Sequence, residues 1–166
     1  MRRPLDVVLL DVLEDSVLNG VIANVSRILD VDVNLHGGAD HDSMLARRRE
    51  RWRADEVIRR YLDGFFSSGR FVVGLVGTDL SMSSLNFVFG LAMREEGTAV
   101  VSWYRLRDGD SQFAARLSKE VIHEVGHLEG LDHCPNETCV MRFSNTLSET
   151  DAKGPGFCSA CARKRR

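Results

Sequence analysis

The sequence predicts an α/β domain: a mixed five-stranded sheet with an antiparallel edge strand, two backing helices, and a longer helix leading into a small C-terminal subdomain. Three observations predict it. Val- and Leu-rich strand-like stretches alternate with helical periodicity through residues 5–76. Two further strand-like stretches then follow with only turns between them. All four cysteines and three of the five histidines fall between His123 and Cys161. The first pattern implies parallel strands joined by helical crossovers, and the second an antiparallel edge.

Residues 5–13 form an apolar stretch interrupted by Asp6 and Asp11, with no small-residue cleavage site after it; this reads as a buried strand rather than an export signal. A helix follows, capped by Asp15 or Ser16, with Val17, Val21, Ile22, Val25, Ile28 and Leu29 at helical spacing. Residues 31–35 alternate as a half-buried strand does. Residues 36–42 read as a turn-rich loop, in which His36 and His41 lack ligand spacing and are expected to be exposed. A second helix covers 52–63, with Val57, Ile58, Tyr61 and Leu62 inward and Gly64 as its stop. Strands are expected at 71–76, 86–92 and 99–105, with turns at 78–84 and 95–98. A third helix spans 111–129, capped by Asp110 or Ser111, with Phe113, Leu117, Val121 and Val125 on its core face.

At 166 residues the chain fits one domain, divided into an upper part at 1–130 and a lower part at 131–166. Its net charge of -2 disfavours nucleic acid and anionic membrane as general partners. The basic runs at 47–53 and 163–166 read as a solvated helix face and a frayed tail. No apolar run is long enough to span a bilayer. With no export signal the expected location is cytoplasmic, where clustered cysteines bind metal more readily than they form disulfides. A monomer is expected.

The chemistry concentrates in His123-Glu124-Val125-Gly126-His127-Leu128-Glu129-Gly130-Leu131-Asp132-His133. His123 and His127 are about 40° apart around a helix and one turn along it, so both rings can reach one ion. They lie opposite the Val121–Val125 core stripe. Gly130 permits the left-handed turn that returns the chain, so that His133 supplies a third nitrogen. Three histidines leave a fourth tetrahedral position open, the arrangement of a catalytic rather than a structural zinc site. Glu124 points about 100° from His123 and suits a general base acting on water at that position.

Cys134 and Cys139 form C-x4-C, and Cys158 and Cys161 form C-x2-C. Both spacings suit tetrahedral thiolate ligation, which would staple a segment too poor in apolar residues to fold on a core of its own. Disulfides or free thiols are the alternatives. Since Cys134 directly follows His133, a structural zinc here would be mechanically coupled to the catalytic one.

The stretch His123–Cys134, then Cys139-Val140-Met141 and Cys158-Ser159-Ala160-Cys161, resembles the archaemetzincins, a family related to the metzincin zinc peptidases. Leu85-Asn86-Phe87-Val88-Phe89-Gly90-Leu91-Ala92 resembles an upstream segment of the same family. The resemblance implies a metzincin-like fold and peptidase or aminopeptidase activity. It also implies that Met141 forms a buried floor beneath the histidines, as the Met-turn residue. Asn86, Phe87, Val88, Phe89 and Gly90 would then lie on an edge strand that pairs with an extended peptide. An aminopeptidase needs an acid for the substrate's amine; Glu129, Asp132 and Asp79 are available, and Tyr104 and Tyr61 are candidate electrophiles by type.

The leading reading is a zinc-dependent peptidase with two zinc ions per chain. The alternative is a binding protein for peptide or nucleic acid, stabilised by two structural zinc sites. The basic tail favours the alternative, and Glu124 beside an open coordination position opposes it.

Overall fold

The computed structural model describes residues 2–37, 51–65 and 69–165. Chain order is β1 (Arg3–Leu9), α1 (Asp15–Leu29), β2 (Val31–Gly37), β3 (Trp52–Arg53), a helical segment α2 (54–65), β4 (Phe71–Val76), β5 (Leu80–Met82), β6 (Leu85–Val88), β7 (Gly90–Met93), β8 (Thr98–Ser102), α3 (Phe113–Leu128), α4 (Leu147–Ala152) and α5 (Ser159–Lys164).

The main sheet has the order β2-β1-β4-β8-β7. Its first four strands are parallel and β7 runs antiparallel to β8 at the edge. This is the predicted mixed five-stranded sheet. Period-2 alternation divides its side chains between two apolar layers. Val7, Val73, Leu75, Ala99 and Val101 face α1 and α3, whereas Val8, Val72, Val76 and Val100 face α2. The two helices expected to back the sheet therefore lie on opposite faces.

Several boundaries differ from the sequence expectation, each for a local reason. The expected strand at 86–92 is divided at Phe89, which is buried in the α1–α3 layer. Upstream of it, β6 pairs with β5 in a second, three-stranded sheet of order β3-β5-β6; downstream, β7 closes the main sheet. The expected turn at 78–84 thus contains a strand. Trp52 begins no helix: it sits in β3 beside Leu80, and α2 starts at Ala54. That segment changes from α (Ala54–Val57) to π (Ile58–Leu62) to 3-10 geometry (Asp63–Phe65), running through Gly64. His36 and Gly37 extend β2, and His36 reaches Asp6 at 3.1 Å; the rest of the expected loop, with His41, lies outside the described residues.

α3 begins two residues later than expected, at Phe113; ahead of it Asp110 accepts a hydrogen bond from the Gln112 amide and braces buried Arg116 together with Asp151. The helix is buried on nearly every side: by the sheet, by α1, and by the C-terminal segment. It ends as predicted, with Gly130 at φ +94 and the Leu131 amide bonded to the Gly126 carbonyl. Up to Arg165 the basic tail is not frayed. Arg165 pairs with buried Glu129, donates to the Leu29 carbonyl and stacks on Phe157. From the other basic run, Arg51 pairs with Asp79. Among the described residues no helix is long and apolar enough to cross a membrane.

Gly126 marks the tightest approach between α3 and the segment that follows it. A Cβ there would fall 2.3 Å from Met141 Sδ and 3.1 Å from Phe157 Cε1, and Met141 is fully buried. Alanine gains about 1 kcal/mol in helix propensity, but overpacking costs about 1–3 kcal/mol. Gly126→Ala is expected to lower the thermal midpoint by about 2–4 °C for each net kcal/mol lost. A raised midpoint in a melting experiment would show that Met141 yields freely.

Candidate active site

The last two turns of α3 and the turn after it bring three imidazoles together. His123 Nδ1 donates to the Val140 carbonyl at 2.8 Å, and His127 Nδ1 donates to the Leu131 carbonyl at 2.8 Å. Each bond fixes a tautomer, because a carbonyl oxygen only accepts. Both Nε2 atoms are therefore unprotonated lone pairs, and they face one another at 3.1 Å. Two lone pairs at that distance repel unless a cation lies between them. Tetrahedral zinc with Zn–N bonds of about 2.0–2.1 Å would set its nitrogens about 3.3 Å apart. The His133 ring completes the group, centred 5.3 Å from His123 and 4.9 Å from His127. One nitrogen from each of the three falls within 4.8 Å of the others. The donor set fits zinc.

The electrostatics agree. Burial holds the pKa of all three imidazoles below the usual histidine value, with Lys153 pushing the same way on His123 and His133. Neutral imidazole is the form that ligates metal.

Around the histidines opens a cleft of about 760 Å³. The 85–92 stretch lines it, including Asn86, Phe87, Val88, Phe89 and Gly90, and so do Phe143, Ser144 and Asn145. Phe143 stacks edge-on against His133 at 5.3 Å. Glu124 lines the cleft as well, with its carboxylate against Gly90. A Cβ on Gly90 would meet its Oε1 at 2.7 Å and the Val100 carbonyl at 2.8 Å, so only glycine at this position leaves the carboxylate its place. Burial, with a smaller contribution from Glu120, pushes the Glu124 carboxyl up to about 8, against the pull of Lys153.

Behind the histidines the four cysteines also converge. Each offers a sulfur within 4.8 Å of the others, and none is in a disulfide. Cys134 and Cys158 sulfurs are 3.9 Å apart, against about 3.8 Å for two thiolates on tetrahedral zinc with Zn–S bonds near 2.3 Å. Chiefly through the Cys161 backbone amide, Cys158 is pulled down to about 7, toward the thiolate that binds metal. Cys139-Val140-Met141 joins the two clusters. Cys139 belongs to the sulfur group, the Val140 carbonyl holds the His123 ring, and buried Met141 packs under Gly126, which lies about one turn after His123 and directly before His127.

The structure also places residues that the sequence reading left open. Glu129 is engaged by Arg165, Asp79 is clamped by Arg51 and Arg105, and exposed Asp132 meets Arg94 at 3.3 Å. Neither Tyr104 nor Tyr61 lines the cleft. Arg94 and Glu120 also line the cleft, although the sequence did not single them out. Arg94 donates to the His127 and Leu131 carbonyls at 2.8 and 2.9 Å, bracing the turn that carries His133. Glu120 precedes His123 and Glu124 by three and four positions, which places it on their face of the helix; that spacing alone could have marked it.

Peptidase family M54 matches residues 53–166 of the chain. An archaemetzincin from Haloquadratum walsbyi is 37% identical over 158 residues, covering 85% of this chain and 87% of the relative. The archaemetzincin of Aeropyrum pernix is 44% identical over 113 residues, 68% of this chain but only 62% of that relative's length. The crystal structure of archaemetzincin from Methanopyrus kandleri superposes with a TM-score of 0.83 at 35% identity, covering 98% of this chain and 92% of the other. The chain belongs to peptidase family M54, the archaemetzincins.

Proposed function

We propose that this chain hydrolyses peptide bonds, with one zinc ion held by His123, His127 and His133 and a second, structural one held by Cys134, Cys139, Cys158 and Cys161. The observation that carries this reading is the pair of opposed Nε2 lone pairs, 3.1 Å apart, each fixed by its own backbone carbonyl at the far side of the ring. When bound, zinc supplies a Lewis acid that polarises the scissile carbonyl and acidifies water.

The chain's own residues do the rest. Glu124 accepts the proton of the attacking water at its carboxylate and returns it to the departing amine. Its burial raises its affinity for that proton above that of an exposed glutamate. The 85–92 wall receives the peptide in extended form through backbone hydrogen bonds. Arg51 already donates to the Asn86 carbonyl, so the substrate-facing stretch begins at Phe87. Met141 supplies the apolar floor below the histidines. The thiolate site suits a reducing, cytoplasmic setting. The alternative of two purely structural zinc sites leaves the cleft and its buried carboxylate without a role, and Arg165 of the basic tail is occupied within the chain.

Two outcomes test this. Glu124→Gln should retain both zinc ions and the wild-type unfolding curve while losing at least about 100-fold in peptide hydrolysis; retained turnover would overturn the assignment of the base. The double variant Cys158→Ser with Cys161→Ser should lose one zinc equivalent by metal analysis. It should also hold the other roughly 10-fold more weakly in chelator competition, because Cys139-Val140-Met141 anchors His123. Unchanged affinity at the histidine site would refute that coupling.

A further inference from the structure

The geometry points to Glu120, backed by Lys153, as the floor of the subsite that receives the side chain immediately C-terminal to the cleaved bond. This floor selects neutral hydrogen-bond donors, amides above all, and rejects carboxylates. The inference rests on the peptidase reading and adds a substrate class to it.

Glu120 lines the cleft one helical turn before His123 and Glu124, yet only 3% of it is exposed. Among the described residues its ion pair and hydrogen bonds are made through Oε1: Lys153 Nζ at 3.0 Å, and the hydroxyls of Ser144 and Thr150 at 3.4 Å each. Lys153 is wholly buried, and its Nζ also donates to Ser144 Oγ at 3.2 Å and the Arg142 carbonyl at 3.4 Å. The cation therefore stands behind the carboxylate, in the wall. Oε2 is the atom left to accept a hydrogen bond from the cleft. Because Lys153 already balances the charge, a neutral donor completes the group, an apolar side chain leaves a desolvated acceptor unpaired, and a carboxylate meets like charge.

The direction of the peptide follows from the 86–94 stretch. Gly90 abuts Glu124, and Arg94 further along reaches the His127 carbonyl, so the 86–94 stretch and α3 run side by side in the same sense. A peptide paired antiparallel with that edge, the more stable pairing, runs from the Arg94 end toward the Asn86 end. Residues after the scissile bond then lie toward the N-terminal part of α3, over Glu120.

The test uses the zinc-loaded full chain and three peptides differing only at the residue after the cleaved bond: Gln, Met or Glu, which are close in size. Wild type should favour Gln over Met, and Met over Glu, by roughly 10- to 100-fold in kcat/KM at each extreme. Since Glu120→Gln alone leaves Lys153 buried without its partner, the decisive variant combines Glu120→Met with Lys153→Met, which removes both charges at similar volume. It should turn the order over, with Met preferred. Equal cleavage of the three peptides by wild type, or a double variant that slows all three by one common factor, would make the pair merely structural and overturn the inference while leaving the peptidase reading intact. Failure of zinc-loaded wild type to cleave any peptide would sink both together.

Discussion

Two hydrogen bonds from imidazole Nδ1 atoms to backbone carbonyls hold the whole site in register. Without the Val140 and Leu131 carbonyls, His123 and His127 could each present either ring nitrogen, and the helical i, i+4 spacing would guarantee only proximity. With them, two lone pairs are forced to within 3.1 Å of each other. An arrangement that unfavourable in the protein alone is what a cation relieves. The proposed metal site is accordingly a property of the backbone path around α3 as much as of the histidines themselves.

That path is held from several directions. Arg94, from the loop after the edge strand, grips the carbonyls at the C-terminal end of α3. Arg165, from the last described turn, grips Glu129 one residue beyond the helix. Met141 packs into the space that Gly126 leaves open, and the residue before it carries the carbonyl that orients His123. The C-terminal segment has few apolar residues, so its precision depends on the sulfur cluster that ties Cys134 and Cys139 to Cys158 and Cys161. In this reading, one metal supports the scaffold that positions the ligands of the other.

The sequence made the architecture legible where pattern and packing coincide. The parallel strands, the antiparallel edge and α3 follow from apolar periodicity, and the convergence of the three histidines and of the four cysteines follows from their spacing. It was less informative where tertiary contacts decide. The division of the 86–92 stretch at Phe89 depends on which neighbour each half pairs with, which no local pattern records. Trp52 and Leu80 form a small second sheet through a parallel contact between distant segments. The basic runs read as solvated because charge composition carries no information on partners; Arg51 and Arg165 are in fact anchors. Arg94 gave no signal, since its shortest hydrogen bonds go to the His127 and Leu131 backbone carbonyls. Glu120 gave one, through its helical spacing, but its cation is Lys153, some thirty residues away in sequence.

The central claim is that three imidazoles surround one ion and leave it a position free of protein. A crystal structure of the zinc-loaded chain, with anomalous maps recorded at the zinc edge, tests this most directly. The account predicts one peak about 2.0–2.1 Å from Nε2 of His123 and His127 and from a His133 nitrogen, with a non-protein fourth ligand, and a second peak among the four sulfurs. A fourth protein atom on the histidine-bound ion, or no peak between the His123 and His127 rings, would contradict it.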